Sequence, residues 1–119
     1  MPAFPQVVGQ ASFFSQAAAI GETSLFSVPA DGVYQVDVYL ATTTAAAGTD
    51  DVTMGLFWTD WNGAQEDEPV SVVLTAQVFQ QASMVLMCRA GSAISFNTAF
   101  GGVSLGAAYS LRVIVVRLS

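Results

Sequence analysis

The fold is decided by residues 29 to 43, Pro29-Ala30-Asp31-Gly32-Val33-Tyr34-Gln35-Val36-Asp37-Val38-Tyr39-Leu40-Ala41-Thr42-Thr43. The first four residues are a turn sequence, because proline presets φ and Asp-Gly supplies a tight reversal. Apolar side chains then follow at every second position from Tyr34 to Leu40 and alternate with polar-tipped ones. Since side chains alternate between the two faces of a strand, this spacing predicts a strand with one buried face.

The rest of the chain repeats this pattern of short β-rich runs separated by Gly, Pro, Asp and Asn. No segment of useful length has the periodicity of a helix. We therefore predict an all-β fold, an antiparallel two-sheet β-sandwich, and the spacing of about eight strands is typical of a jelly roll. The expected strands cover residues 16–20, 23–28, 33–43, 52–61, 69–77, 82–90, 92–100 and 107–118.

The two ends of the chain differ in pattern. Pro2 and Pro5 block regular strand pairing, so residues 1–12 are expected to form an extended N-terminal arm and residues 13–119 the sandwich domain. The last run, residues 109 to 118, is β-branched and apolar on both faces. As an open edge it would invite aggregation, and we expect it to lie inside a sheet.

The amino-acid composition limits the classes of function that are expected. Hydrophobic residues make up 53% of the 119 residues and charged residues only 10%, against roughly 25% charged in an average soluble domain. Such a surface is typical of a protein that contacts a partner. The sequence contains neither histidine nor lysine, which removes the commonest general base, Schiff-base amine and metal ligand. We therefore expect that the protein is not an enzyme and that it binds no cofactor.

Charge and cysteine content narrow the partners further. The net charge is −6, with three Lys plus Arg, so neither nucleic acid nor an anionic membrane is an expected partner. Cys88 is the one cysteine, and without a histidine to activate it we interpret it as a small core residue. Acidic pairs such as Asp50-Asp51 could supply ligands to Ca²⁺, but no complete ligand spacing is present, and we predict no metal site.

Aromatic residues indicate surfaces that need a partner. Two adjacent phenylalanines on a strand, Phe13 and Phe14, must face opposite sides, so one of them is left without an intramolecular partner. Phe57 and Trp61 are interpreted as interface residues, because aromatic residues with few charges are typical of interface cores. A sugar-stacking platform is the alternative. Asn62-Gly63 predicts a hairpin, whose loop we expect residues 66–68 to lengthen.

The sequence resembles a group of small tailed-phage virion proteins. The resemblance rests on residues 20–40, which include the turn and Gly-Val-Tyr-Gln-Val, on Phe57-Trp-Thr-Asp-Trp-Asn-Gly-Ala-Gln65, and on the closing run from Tyr109 to Leu118. It covers most of residues 13 to 118. A weaker similarity extends to the trimeric jelly rolls of the tumour-necrosis-factor and complement C1q type.

The resemblance implies a capsid decoration, or cement, protein of the virion. Such a protein would be assembled in the host cytoplasm, form a homotrimer, bind the major capsid protein on the outer head surface and stabilise capsomer junctions. We expect the capsid contact at Phe4, Val7, Val8, Phe13 and Phe14, and the trimer contact at the two interface aromatics named above. The alternatives are the jelly-roll head of a tail fibre or spike that binds a host receptor or glycan, and a small free-standing lectin.

The sequence shows no export signal and no spanning segment. Its first ten residues have neither a basic region nor a long apolar run. No apolar run approaches the about 20 residues that a spanning helix needs. We therefore expect a protein that is made without export.

Overall fold

A computed structural model describes residues 5 to 119. This part of the chain is all-β, with eight strands and turns but no helix. The strands are β1 (Gln6–Gln16), β2 (Thr23–Ser27), β3 (Gly32–Thr44), β4 (Asp51–Asp60), β5 (Gly63–Val73), β6 (Phe79–Cys88), β7 (Ala93–Phe100) and β8 (Ala108–Arg117).

The strands form two four-stranded antiparallel sheets. Sheet I has the order β1-β8-β3-β6, and sheet II has the order β2-β7-β4-β5. Consecutive strands mostly lie in different sheets, which is the arrangement of a jelly roll. The predicted fold class is therefore confirmed. The expected interior position of the last strand is also found, since β8 lies between β1 and β3.

The core lies between the two sheets and contains the inward residues of each strand. In β3, Tyr34, Val36, Val38 and Leu40 are all buried, as the alternation predicts. Buried side chains of sheet II, including Met54 in β4, meet them from the other side. The face of each sheet that points away from this core is its outer face.

Strand β1 corrects the predicted boundary of the arm. Residues 6 to 12 belong to β1, which pairs with β8 from Gln6–Arg117 to Gln16–Tyr109. The described part of the expected arm is thus an edge strand that continues past residue 12. The physical reason is that no proline lies between Pro5 and Pro29, and β8 needs a second neighbour to satisfy its backbone groups.

Two further predictions about local structure are wrong. Residues 17 to 22 form no strand, because the chain crosses here from sheet I to sheet II. The hairpin after β4 has a two-residue turn, since Asp60 pairs with Gly63 and the Asp60 carboxylate accepts a hydrogen bond from the Asn62 amide at 2.7 Å. Residues 66–68 therefore lie in β5 and do not lengthen the loop.

Candidate interaction surfaces

The described residues carry little that could do chemistry. Among residues 5 to 119, no three His, Cys, Asp or Glu side chains form a group able to hold a metal ion. Cys88 is fully buried in β6. Burial, and secondarily the charge of Asp60, raises the pKa of the Cys88 thiol to about 11, so the thiolate nucleophile is disfavoured at neutral pH. The same part of the chain contains no helix able to cross a membrane.

The carboxylates of the loops have structural partners. Asp50 accepts a hydrogen bond from the Val103 amide at 2.8 Å, and Asp31 accepts one from the Ala90 amide at 2.8 Å. Asp67 in β5 accepts one from the amide of Glu68. These bonds fix the loop ends and the irregular part of β5. The acidic residues therefore have a structural role that requires no bound ligand.

The outer face of sheet I carries large exposed apolar side chains. They come from three of its four strands: Val7 and Phe14 in β1, Tyr39 in β3, and Phe79, Val85 and Met87 in β6. The rings of Tyr39 and Phe79 stack with centroids 5.6 Å apart. Apolar area concentrated on one face is typical of an interaction surface.

The predicted contact residues in β1 separate into two groups. Phe13 is half-buried and packs against the core, with its ring 5.8 Å from that of Phe96, whereas Phe14 is 75% exposed. Val8 likewise packs on the core, and Val7 is exposed. Phe4 lies outside the described residues. Of the expected contact set, Val7 and Phe14 are thus the described residues that present most surface to a partner.

The centre of the outer face of sheet I is polar. Asp37 accepts hydrogen bonds at Oδ1 from Gln35, at 2.9 Å, and from Ser83. Arg112 of β8 lies beside Tyr39 in the strand register and is exposed. These residues line one shallow depression of about 590 Å³. The face therefore has apolar ends around a charged middle.

The predicted trimer residues belong to β4 and to the turn that follows it. Phe57 projects from the outer face of sheet II and is half-buried, next to Gly55, where a Cβ would collide with Asn97. Trp61 occupies the turn between β4 and β5 and is 57% exposed. A groove of about 370 Å³ runs from Phe57 past Asn97 to the acidic residues 66–68. Of the two expected contact sets, Val7 and Phe14 thus lie on the outer face of sheet I and Phe57 on the outer face of sheet II.

Sequence reasoning missed the apolar residues of β6. A signal for them existed, because Met84-Val85-Leu86-Met87 is a continuous apolar run that must put side chains on both faces of a strand. Met84 packs against the core and Leu86 is buried, while Val85 and Met87 point outward. A strand that is apolar on both faces needs a partner on each.

No family model matches the sequence, and neither does any curated protein sequence. The structure is similar to the PRD1 vertex protein P5, with a TM-score of 0.65 over 98% of this chain and 100% of that one, at 10% identity. It is also similar to the capsid of the Helicobacter pylori bacteriophage KHP30, with a TM-score of 0.55 over 92% and 85% of the two chains, at 10% identity.

A further similarity is to an Eiger tumour necrosis factor from S. frugiperda, with a TM-score of 0.50 over 97% and 94% of the two chains, at 13% identity. At identities this low the similarity concerns the fold. The jelly-roll fold that the sequence resemblance implied is confirmed by these structures.

Proposed function

We propose that this chain is a structural protein of a phage virion, specifically a decoration protein that binds the outer surface of the head. In this proposal it forms a homotrimer, contacts the major capsid protein and stabilises the junctions between capsomers. The observation that carries the proposal is the apolar outer face of sheet I, since its exposed side chains, Val7 and Phe14 among them, offer area for binding another protein.

The fold agrees with this role. A phage vertex protein and a phage capsid share the jelly roll over most of the chain, although fold alone does not fix function. Charge agrees as well: the net charge of −6 with three cationic residues argues against contact with packaged nucleic acid. A role on the outside of the particle needs no such contact.

The proposed mechanism is the combined action of many weak contacts. Each copy would bury apolar side chains of β1, with Val7 and Phe14 as the exposed described residues, against the capsid surface. A trimer that spans a junction makes several such contacts at once, so all of them must break before the junction opens. This raises the stability of the particle by mass action, without any covalent change.

The test is binding of the purified protein to phage heads that lack it. Co-sedimentation should show saturable binding, and heads with the protein bound should release their contents at a higher temperature than bare heads. The variant Phe14→Ser should bind more weakly, with Leu105→Ser as the matched control, because Leu105 is also an exposed apolar residue but lies in the loop between β7 and β8. Failure of the wild-type protein to bind any head of the phage that encodes it would overturn the proposal.

The groove on the outer face of sheet II favours a second candidate, the head of a tail fibre or spike that binds a host receptor or glycan. An aromatic ring beside amide and carboxylate groups, here Phe57, Asn97 and Glu66, is chemistry that suits a sugar. Binding of the isolated protein to host cells or to a glycan array, lost in Phe57→Ala, would support this candidate. A protein that binds neither host cells nor the glycan array would rule out this candidate.

A further inference from the structure

Three consecutive acids line the groove on the outer face of sheet II. Neighbouring residues of a regular strand point to opposite faces, but the register of β5 with β4 shifts opposite Gly55, and such bulges redirect side chains. Glu66, Asp67 and Glu68 therefore all border the same groove. Asp67 accepts a hydrogen bond from the Glu68 amide, whereas the carboxylates of Glu66 and Glu68 make neither a hydrogen bond nor an ion pair among residues 5 to 119.

No cation of the chain offsets this negative charge. The sequence contains three cationic residues. Arg89 lies in the turn between β6 and β7, and Arg112 and Arg117 belong to β8 in the other sheet. The groove is therefore a region of negative potential, which attracts positively charged ligands and repels anionic ones.

The floor of the groove is shaped by a glycine. Gly55 pairs with Asn97 of β7, and a Cβ at this position would collide with Asn97 Oδ1 and lie 3.4 Å from Phe57 Cζ. Glycine in the interior of a strand marks a place where another group approaches the backbone closely. Here it allows the Asn97 amide and the Phe57 ring to lie over the backbone of β4.

The Asn97 side chain is a polar group without a partner in its own chain. It is half-buried, and neither Nδ2 nor Oδ1 forms a hydrogen bond within the part of the chain that the structure describes. The nearby hydroxyls of Thr53 and Ser71, in contrast, bond to each other at 2.9 Å. Asn97 therefore offers both a donor and an acceptor to a ligand in the groove.

We propose that this groove binds a sugar that carries a free amino group. The C–H face of the sugar ring packs on Phe57, a sugar hydroxyl pairs with Asn97, and the ammonium group lies against the carboxylates of Glu66 and Glu68. The volume of about 370 Å³ is at the lower end of the range of roughly 300–1,000 Å³ for small-molecule sites, which suits one end of a glycan.

This inference rests on the second candidate function, the binding of a host glycan, and adds the class of sugar. It is also compatible with decoration of the head. Sheet II lies on the far side of the core from the outer face of sheet I, so a copy that binds the head through sheet I keeps the groove open to the surroundings. A trimer contact at Phe57 would cover the groove, and binding of a sugar there leaves Trp61 for that contact.

Titrations with three trisaccharides test the preference for an amino group. Chemical shifts of the isotope-labelled protein measure the dissociation constants of the glucosamine, N-acetylglucosamine and galacturonate trisaccharides, which are cationic, neutral and anionic. The glucosamine trisaccharide should bind about two- to fivefold more tightly than the neutral one, as expected for exposed ion pairs, and the galacturonate trisaccharide should not bind. High salt should reduce the difference.

Variants separate the ring from the carboxylates. Phe57→Ala should weaken the binding of the cationic and the neutral trisaccharide about tenfold or more, because the packing surface is lost. The double variant Glu66→Gln and Glu68→Gln should remove only the advantage of the cationic one. Glu22→Gln is the matched control, because Glu22 is also an exposed acid but precedes β2, at the opposite edge of sheet II from β5.

The outcomes distinguish this inference from the candidate function. Equal binding of the cationic and neutral trisaccharides overturns the preference and leaves glycan binding standing. Binding that is unchanged in Phe57→Ala, or equally tight binding of N-acetyl-lysine methylamide, overturns the assignment of the groove to a sugar. A protein that binds none of the three trisaccharides also overturns the inference, while the glycan array decides the second candidate separately. Circular dichroism shows that each variant is folded.

Discussion

The hydroxyl of Tyr109 in sheet I lies 2.6 Å from Thr98 Oγ1 in sheet II, so one hydrogen bond crosses the core. The Tyr109 hydroxyl donates to the Ala18 carbonyl at 2.8 Å, and Thr98 Oγ1 accepts from the Ile20 amide at 2.8 Å. The crossing segment between β1 and β2 is therefore held by polar groups of both sheets. Buried networks of this kind are costly when they are partly broken.

Removal of the Tyr109 hydroxyl should destabilise the protein. Tyr109→Phe removes the acceptor of the Thr98 hydroxyl and the donor to the Ala18 carbonyl, at a cost of about 1–3 kcal/mol in the free energy of unfolding. Tyr34 supplies a matched control, because its buried hydroxyl has no hydrogen-bond partner among residues 5 to 119. Tyr34→Phe should be neutral or stabilising in the same urea titration. Equal losses in both variants would contradict this assignment.

Phe13 should contribute to the stability of the fold, and Phe14 should contribute to binding. Phe13→Ala removes a ring that packs against Phe96 and should cost about 2 kcal/mol, below the range for a fully buried phenylalanine. Phe14→Ala changes an exposed side chain, and its effect on stability should stay within about 0.5 kcal/mol. Thermal unfolding measures both. If Phe14→Ala also leaves binding to heads unchanged, Phe14 is not a contact residue.

Stability should fall at alkaline pH because of Cys88. Its pKa is raised to about 11 in the folded protein by burial and by Asp60, whereas an unfolded thiol titrates near 8.5–9. The unfolded chain therefore binds fewer protons than the folded one between these values, and the free energy of unfolding decreases as the pH rises through about 9 to 11. Urea titrations of Cys88→Ala should show a shallower decline. Parallel curves for the two proteins would contradict the assignment to Cys88.

Trp61→Ala tests the trimer contact expected from the sequence. The sequence indicates Phe57 and Trp61 for the trimer, and that expectation stays a prediction. Trp61 is 57% exposed in the turn between β4 and β5, so its replacement by alanine should lower the sedimenting mass if the copies meet there, because a large aromatic side chain is lost from the contact. Sedimentation equilibrium measures this mass, and a value equal to that of the wild type would contradict a trimer contact at Trp61.

Local sequence patterns predict the fold because the buried residues are the ones that those patterns place on the inner face of each strand. Alternation in β3 gives the correct buried face, and the apolar character of β8 gives its place inside a sheet. The edge strands were harder to predict, since an edge has one neighbour and weaker patterning. Thus the two prolines at positions 2 and 5 predict an arm over residues 1–12, but their effect on strand pairing ends at Pro5 and β1 begins at Gln6.

The surfaces could be predicted only in part. That one of Phe13 and Phe14 lacks a partner follows from alternation, but which one depends on the register with β8. The juxtaposition of Arg112 with Asp37 depends on the pairing of β3 with β8, residues more than seventy positions apart in the chain. Spacing along a sequence contains no information about such distant pairs.

The place of β8 in sheet I determines when folding can finish. Both β1 and β3 use β8 as a neighbour, so on the ribosome sheet I stays open until residues 108 to 117 have been made. A nascent chain carries two unpaired strand edges during this time, and pairing across such long sequence separations is slow. Sheet I can therefore close only after β8 has been made, and misassembly between unfinished chains competes with folding until then.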